Sequence, residues 1–312
     1  MSAAFADCAE CGTRNSLFNP RCIGCGQRLA EGGERRAQAT NTAAAPSHGS
    51  GPASVGPYEV VSLVGMGSSA RVFAARHAES GEEVLLKVMR PELLGSGEAR
   101  TRFGREARAL ARVHHPHIAR VLDVLEGPSP TLVLEIAPGR SLEARLADGP
   151  LPSDQALRVV TQLAMGLSAL HAQGVVHRDV KPANIMVSDQ LDVKLIDLGL
   201  ARMLEERPGS FRTAAGAVLG SLAYAAPEVV MGERGAAPAD CWSLGVVAFE
   251  LATGRRPFDA PSRVALAAAI VAHRAADSHI EGSLGEAVRL CLHHDAAARP
   301  SAADLAAMLT RE

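Results

Sequence analysis

The sequence predicts an α+β protein with two lobes, a strand-rich lobe followed by a helix-rich lobe, and a cleft between them. Short β-branched runs separated by turn residues fill the stretch that begins at Tyr58, and apolar residues recur at helical spacing after Gly149. A cysteine-rich segment precedes both lobes. The predicted divisions of the 312 residues are a small N-terminal unit at 1–28, a flexible linker at 29–56 and the two-lobed domain at 57–312.

Composition and charge exclude several classes of protein. Hydrophobic residues make up 47% of the chain and charged residues 21%, so it can bury a core and is not disordered throughout. With 32 basic and 34 acidic residues the net charge is -2, which gives no general attraction to nucleic acid or anionic lipid. No apolar run approaches the roughly 18 residues of a membrane span, and the N-terminus lacks a signal core. We expect a soluble, cytoplasmic protein without a membrane or nucleic-acid partner.

Two Cys-x2-Cys pairs, Cys8 with Cys11 and Cys22 with Cys25, are each followed by glycine. Such pairs can place four thiolates around a tetrahedral zinc ion, and structural zinc contributes roughly 10 kcal/mol to folding of a segment with almost no core. Disulfides are disfavoured because no export signal is present, and a redox site because no strand-to-helix junction is evident. We expect a structural zinc ribbon, which the linker would allow to bind a regulatory partner or the other domain.

The strand-rich lobe is predicted to open with an antiparallel meander and to contain one helix. On that helix Phe103, Glu106, Leu110 and Val113 recur at steps of three and four residues. Two extended runs follow it. The strand predictions rest on YEVVSLV, ARVFAAR, EEVLLKVM, ARVLDVLEG and TLVLEIA.

The helix-rich lobe is predicted to begin with a helix that Ser153 caps and Gly174 ends. Cys241 and Cys291 lie in apolar helical stretches and are expected to be core thiols. Further helices are predicted around 241–254, 261–275, 283–293 and 301–311.

A glycine-containing turn and a lysine point to phosphate binding. Gly65 and Gly67 stand between the first two strands, where their backbone amides can approach phosphate oxygens. Lys87, one of only three lysines, lies in an apolar strand and needs an anionic partner. Glu106 is the predicted partner, because Glu98 falls off the apolar stripe of its helix.

A carboxylate, an ammonium group and a carboxamide follow within six residues, at Asp179, Lys181 and Asn184, and a second carboxylate, Asp197, follows the next short hairpin. The oxygen ligands of Asn184 and Asp197 suit Mg²⁺. Asp179 is placed to accept a proton from a hydroxyl, and Lys181 to neutralise a transferring phosphoryl group. The alternative, a set of solvated surface residues, is disfavoured by the ordered occurrence of the whole group.

In these motifs, residues 58–312 resemble a eukaryotic-type Ser/Thr protein kinase of the kind found in bacteria. The resemblance implies a bilobal protein kinase fold that transfers the γ-phosphoryl group of ATP, with Mg²⁺, to Ser or Thr of protein substrates. It implies that Asp179 is the catalytic base, that Asn184 and Asp197 bind Mg²⁺, and that Lys87 pairs with Glu106 and contacts the α and β phosphates. The residues it implies at the ATP site are Gly65, Met66, Gly67, Val72, Lys87, Glu135, Ala137 and Met186.

Further motifs of the same family occur after Asp197. Glu228, in Ala-Pro-Glu, closes the predicted activation segment and is expected to pair with Arg299. Asp240 resembles the residue that supports the catalytic loop. The resemblance also implies that Arg178 receives a phosphorylated residue of the activation segment, for which Ser210 and Thr213 are the candidates.

Four positions depart from the family pattern without removing a group that touches the moving phosphate. Ala70 replaces the third glycine, and Leu198 replaces the usual phenylalanine between Asp197 and a glycine. Leu85 replaces a small alanine over the adenine and predicts a tight nucleotide pocket. Ser221 replaces a threonine that bonds the catalytic aspartate, and keeps its hydroxyl.

Two other functions fit part of the sequence. A nucleotide-binding pseudokinase scaffold is favoured by Leu85 and disfavoured by the complete set of charged residues. A small-molecule phosphotransferase generally lacks the long segment between Asp197 and Glu228. The histidines His114, His115 and His117 are interpreted as the turn after a helix and not as a metal site.

Overall fold

The computed structural model describes most of the chain from Pro52 onward. Before that it describes two short strands, β1 (Phe5–Asp7) and β2 (Arg14–Ser16), which pair antiparallel. The four cysteines of the predicted zinc ribbon lie outside the described residues, so the ribbon stays a prediction. Besides β1 and β2, the described ranges are 52–66, 70–90, 97–127, 129–197, 219–276 and 279–311.

A first compact unit comprises residues up to Arg100 together with Val121–Ile136. Its six-stranded sheet consists of β3 (Ser54–Val55), β4 (Tyr58–Met66), β5 (Ala70–His77), β6 (Glu83–Met89), β7 (Val121–Leu125) and β8 (Thr131–Leu134). The core cluster on one face of this sheet contains Tyr58, Phe73, Ala75, Val84, Leu86 and Val133.

The sheet confirms the five predicted strands and adds an order that the sequence analysis did not state. The strands lie in the order β3-β4-β5-β6-β8-β7. The meander of β4, β5 and β6 is therefore followed in space by β8, with Leu86 opposite Val133. β7 precedes β8 in the chain but forms the edge of the sheet.

A second compact unit comprises Thr101–Arg120 and Ala137–Glu312. The division between the two units passes through α1 (Gly97–Ala111). The other helices are α2 (Leu142–Leu146), α3 (Ser153–Ala172), α4 (Leu219–Leu222), α5 (Pro227–Val230), α6 (Ala237–Thr253), α7 (Arg263–Val271), α8 (Gly282–Cys291) and α9 (Ala302–Leu309).

The helix predictions are correct in kind and differ at the ends. Ser153 is the first residue of α3 and not its cap, which is Pro152, while Gly174 ends the helix with a φ of 69° as expected. Val113 lies beyond the end of α1. The helix expected around 241–254 begins earlier, at Ala237, because a proline is tolerated in the first turn.

A small antiparallel sheet in the second unit contains the two strands that lie between the predicted site residues Asn184 and Asp197 in the chain. It has the order β11-β10-β9 and contains β9 (Arg140–Ser141), β10 (Ile185–Val187) and β11 (Val193–Leu195). Gly139, with a φ of 96°, precedes β9. A β-carbon there would collide with the carbonyl oxygen of Val187, so this approach of the chain to β10 requires glycine.

Cys241 and Cys291 are buried free thiols, as predicted. Burial raises the pKa of Cys241 to about 12, and burial also raises the pKa of Cys291. These thiols stay protonated near neutral pH and act as small apolar groups.

Among the described helices, none combines the length and the apolar character that crossing a membrane requires.

Candidate functional site

Asp179 lies at the centre of a hydrogen-bonded network in the loop between α3 and β10. Lys181 Nζ donates to Asp179 Oδ2 at 2.8 Å, and Asn184 Nδ2 donates to the same oxygen at 2.9 Å. The same amide nitrogen donates to the backbone carbonyl of Asp179, also at 2.9 Å. The loop therefore presents a carboxylate in a fixed orientation beside an ammonium group.

Ser221, in α4 near the start of the next described range, joins this network. Lys181 Nζ donates to Ser221 Oγ at 3.0 Å, so one ammonium group links Asp179 to α4. The side chains of Asp179 and Lys181 are 15% and 19% exposed, which leaves both within reach of a reactant. The hydroxyl that the sequence analysis associated with Asp179 thus lies beside Lys181.

Asp240, near the start of α6, supports the loop through hydrogen bonds to its backbone. Its carboxylate is buried, and it accepts hydrogen bonds from the backbone N–H groups of His177 and Arg178 at 2.8 and 2.7 Å. Arg178 has a φ of 65°, a left-handed conformation that costs a non-glycine residue about 1–3 kcal/mol. The two bonds to Asp240 hold the backbone in this conformation directly before Asp179.

His177 connects the loop to the strand that leads to Asp197. The imidazole is fully buried; Nδ1 accepts from the backbone N–H of Asp179 at 3.3 Å, so Nε2 carries the proton and donates to the carbonyl of Ile196 at 3.1 Å. Burial lowers the pKa of His177. A neutral, hydrogen-bonded histidine has a structural role here.

Asn184 and Asp197 fit a divalent cation by the chemistry of their donors. Because Asn184 Nδ2 is bonded to Asp179, the amide oxygen Oδ1 points the other way and offers a hard ligand. The N–H of Ile196 donates to the carbonyl of Asn184 at 2.8 Å, which brings the neighbouring Asp197 next to Asn184. Asp197 has a φ of 58° and an exposed side chain. An amide oxygen and a carboxylate are a ligand pair that Mg²⁺ accepts together with water and phosphate.

Glu106 on α1 lies against Arg178, a partner that the sequence analysis did not anticipate. Arg178 Nη1 is 3.5 Å from Glu106 Oε2, and these side chains are 11% and 19% exposed. Arg178 Nε also donates to the carbonyl of Gly235 at 3.4 Å. The contact ties α1 to the loop that carries Asp179.

Glu228 and Arg299 form a two-pronged ion pair although 71 residues separate them. Arg299 Nη1 and Nη2 donate to the two carboxylate oxygens at 2.7 and 2.9 Å. The guanidinium also bonds the carbonyls of Pro238, His293 and His294. The side chain of Arg299 is fully buried, and this pair joins α5 to the segment that precedes α9.

In the first unit, three predicted residues form one row across the sheet. Gly65 lies opposite Val72, and Val72 lies opposite Lys87 in the next strand. Cross-strand partners share a face, and the alternation along β5 and β6 puts this row on the face opposite the core cluster. Lys87 is 5% exposed.

The other predicted ATP-site residues are distributed along both units. Met66 ends β4 and is 66% exposed, while Glu135 follows β8 and is half-buried. Ala137 and Met186 belong to the second unit and are buried. Outside the described residues lie Gly67, Leu198, Ser210 and Thr213.

The histidines that follow α1 form a turn, as interpreted from the sequence. His117 Nδ1 lies 3.1 Å from the carbonyl of Val193, and the rings of His115 and His117 meet edge to face. In the described part of the chain no group of three or more metal-ligating side chains comes together.

One supporting residue, His171, was missed. Its Nε2 lies 2.8 Å from Asp240 Oδ2, at the end of α3. The sequence did contain a signal for this residue. A buried carboxylate such as Asp240 needs several hydrogen-bond donors, and His171 is a donor only six residues before His177, which belongs to the loop of the site.

The comparisons with known proteins agree with this geometry. Residues 58–309 match the family model of the protein kinase domain. The chain is 36% identical over 260 residues to serine/threonine-protein kinase pkn2 of Myxococcus xanthus, a match that covers 80% of this chain and 31% of that protein.

Two further relatives are also serine/threonine-protein kinases by name. Probable serine/threonine-protein kinase PkwA of Thermomonospora curvata is 37% identical over 263 residues, covering 84% of this chain and 35% of the relative. Serine/threonine-protein kinase PknB of Mycobacterium leprae is 38% identical over 216 residues, covering 67% and 34%. The matches span about a third of the length of these relatives.

Proposed function

This chain belongs to the protein kinase family, and from that membership we propose that it is an ATP-dependent serine/threonine protein kinase. It would transfer the γ-phosphoryl group to serine or threonine hydroxyls of proteins, its own activation segment included. The observation that carries the proposal is the network that orients the Asp179 carboxylate between Lys181 and Asn184. Lys181, two residues after Asp179, favours the serine/threonine branch of the protein kinase family over the tyrosine branch.

In the proposed reaction, a substrate hydroxyl oxygen forms a bond to the γ-phosphorus while the bond from that phosphorus to the bridging oxygen of ADP breaks. Asp179 accepts the hydroxyl proton, and the ammonium group of Lys181 offsets the charge of the transferring phosphoryl group. Asn184 and Asp197 would hold Mg²⁺, which when bound neutralises the charge of the phosphate oxygens. The fixed loop makes this arrangement available before a substrate binds.

On the strand unit, Lys87 would contact the α and β phosphates and pair with Glu106. The burial of this lysine supports the role, because a buried ammonium group requires anionic partners. Backbone groups from Glu135 to Ala137 would bond adenine. The remaining proposed ATP contacts are Gly65, Met66, Gly67, Val72 and Met186.

The position of Arg178, directly before Asp179, supports a proposal about activation. A guanidinium directly before Asp179 is suited to bind a phosphate on Ser210 or Thr213, since arginine binds phosphate oxygens in a two-pronged manner. We propose that such phosphorylation engages Arg178.

The activity is tested by incubating the full chain with Mg²⁺ and ATP labelled on the γ-phosphate. We expect label on serine or threonine in the parent chain and almost none in Lys87→Met or Asp197→Asn. Asp189→Asn, at an exposed position in the hairpin between β10 and β11, is the matched control and should label like the parent. Equal labelling of all four proteins would mean that the site is wrong.

The same assay separates the two alternatives. A pseudokinase scaffold would bind Mg²⁺ and ATP without labelling any protein. A small-molecule phosphotransferase would label no protein hydroxyl and would consume ATP only with a small acceptor. Leu85, half-buried between Ala74 and Leu134, is the position to vary if nucleotide binding is weak.

For the segment 1–28 we propose a structural zinc ribbon that binds a regulatory partner. Cys8, Cys11, Cys22 and Cys25 have the required spacing. Elemental analysis of the full chain should give about one zinc per chain, lost in the double variant Cys8→Ser, Cys11→Ser and retained in Cys241→Ala. A parent chain free of metal after growth in zinc-rich medium would refute the ribbon.

A further inference from the structure

The outer edge of β11 is held by groups from outside its sheet. Across the hairpin, Ser188 N–H donates to the carbonyl of Asp192, and in an antiparallel pair every second residue from there faces the partner strand. Val193 and Leu195 are the residues in between, so their backbone N–H and C=O groups point away from β10, at the edge of the sheet. Leu195 N–H donates to the carbonyl of His117, and Leu195 C=O accepts from the N–H of Ala119. Because this edge is buried, each of its polar groups requires a partner.

Gln162, in the middle of α3, supplies the partners at the start of β11. Its Oε1 accepts from Val193 N–H at 3.0 Å, and its Nε2 donates to the carbonyl of Leu191 at 2.8 Å. Gln162 is 8% exposed and Val193 is 1% exposed. One carboxamide thus bonds two backbone groups on either side of Asp192.

The turn that Gln162 bonds is conformationally demanding. Leu191 has a φ of 62°, in the left-handed region that a leucine rarely adopts. One turn earlier on α3, Arg158 forms a 3.0 Å ion pair with Asp192. That pair is exposed and contributes little, so the buried amide is the stronger of the two contacts.

The strand that begins at Val193 ends two residues before Asp197. Along it, His117 bonds Val193 and Leu195, and His177 bonds Ile196. Gln162 is the contact at the N-terminal end of this segment. A shift of β11 along its axis would carry Asp197 with it, because Ile196 alone separates the end of the strand from Asp197.

We infer that Gln162 is a positioning residue for Asp197, which sets the place of this carboxylate relative to Asn184 by fixing β11 against α3. The inference rests on the proposed function, in which Asn184 and Asp197 hold Mg²⁺ with ATP. Gln162 touches neither the cation nor the nucleotide and acts only through the strand.

The first test compares Gln162→Met, which keeps the size of the side chain and removes both bonds, with the parent. In the nucleotide-free full chain we expect faster hydrogen exchange in peptides that cover 191–197, and unchanged exchange in α6. The Mg²⁺ concentration that half-saturates binding of a fluorescent ATP analogue should rise about 10-fold, the lower end of the range for groups that support metal ligands. Gln155→Met, at a half-buried position in the first turn of α3, is the matched control.

A second variant, Gln162→Glu, tests the hydrogen bonds themselves. Its carboxylate can accept from Val193 N–H but cannot donate to the carbonyl of Leu191, whereas the protonated acid can do both. The Mg²⁺ requirement should therefore return toward that of the parent as the pH falls to the pKa of the introduced carboxyl group. The other charged or titratable groups at this edge, Arg158, Asp192 and His117, are common to all variants, so the comparison with Gln162→Met isolates the introduced carboxyl group.

Each outcome decides the question. Faster exchange in 191–197 with an unchanged Mg²⁺ requirement would show a merely structural contact and overturn the inference. Unchanged exchange in Gln162→Met would overturn it as well. If the parent binds the ATP analogue but transfers no phosphate, the proposed activity fails while the binding comparison still judges Gln162. A parent that binds no Mg²⁺ and nucleotide would refute both.

Discussion

Replacement of Asp179 by asparagine is expected to lower kcat for protein phosphorylation about 10²- to 10⁴-fold, the usual contribution of a general base. The amide keeps the size of the side chain and can still accept hydrogen bonds from Lys181 and Asn184. It cannot accept the proton of the substrate hydroxyl. Nucleotide affinity should therefore change little, and kcat and kcat/KM for the protein substrate should fall together.

Single-turnover transfer from labelled ATP measures this effect, with nucleotide binding determined on the same preparations. Asp189→Asn makes the same chemical change on an exposed turn of the hairpin and should retain the parent rate. A rate for Asp179→Asn within a few-fold of the parent would assign the proton transfer to another group.

The largest effect on stability is expected for Arg299→Ala, which should lower the free energy of unfolding by about 3–5 kcal/mol. The side chain is fully buried, and its removal leaves the Glu228 carboxylate without its two-pronged partner. Backbone carbonyls that the guanidinium bonds also lose a donor, and the contact with the face of Trp242 at 4.9 Å disappears. Each of these losses acts in the same direction.

Denaturant unfolding followed by circular dichroism measures the change. Arg289→Ala removes an arginine from an exposed pair with Glu286 on α8 and serves as the control, which should leave the unfolding midpoint where it is in the parent. If both variants unfold at the midpoint of the parent, the buried pair does not stabilise the second unit.

Local patterns in the sequence predict the elements of this fold better than their arrangement. The β-branched runs before Arg76 and around Lys87 correspond to β4, β5 and β6, since alternation along a strand is a local property. The placement of β8 between β6 and β7 depends on pairing with residues far away in the chain, for which local periodicity carries no signal. Helix ends shifted by a few residues because proline at Pro152 and Pro238 can occupy the entry to a helix.

At the candidate site too, contacts between near neighbours in the chain were predictable from local patterns, and contacts between distant residues were not. Asp179, Lys181 and Asn184 are near neighbours in the chain, and the structure brings them together within hydrogen-bond distance. The pairing of Glu228 with Arg299 was available only through the resemblance to a family, because 71 residues separate them. Contacts without a motif, such as those of Gln162 with the hairpin, join a side chain to backbone groups 29 and 31 residues away, for which the sequence carries no local pattern.

Site-resolved mass spectrometry of the purified full chain, before and after incubation with Mg²⁺ and ATP, is the decisive test of whether this chain phosphorylates protein hydroxyls. We expect new phosphoserine or phosphothreonine that accumulates with time, requires Mg²⁺ and is missing when the chain carries Asp179→Asn. Unmodified hydroxyls in the parent chain and in added protein substrates, despite bound nucleotide, would contradict it.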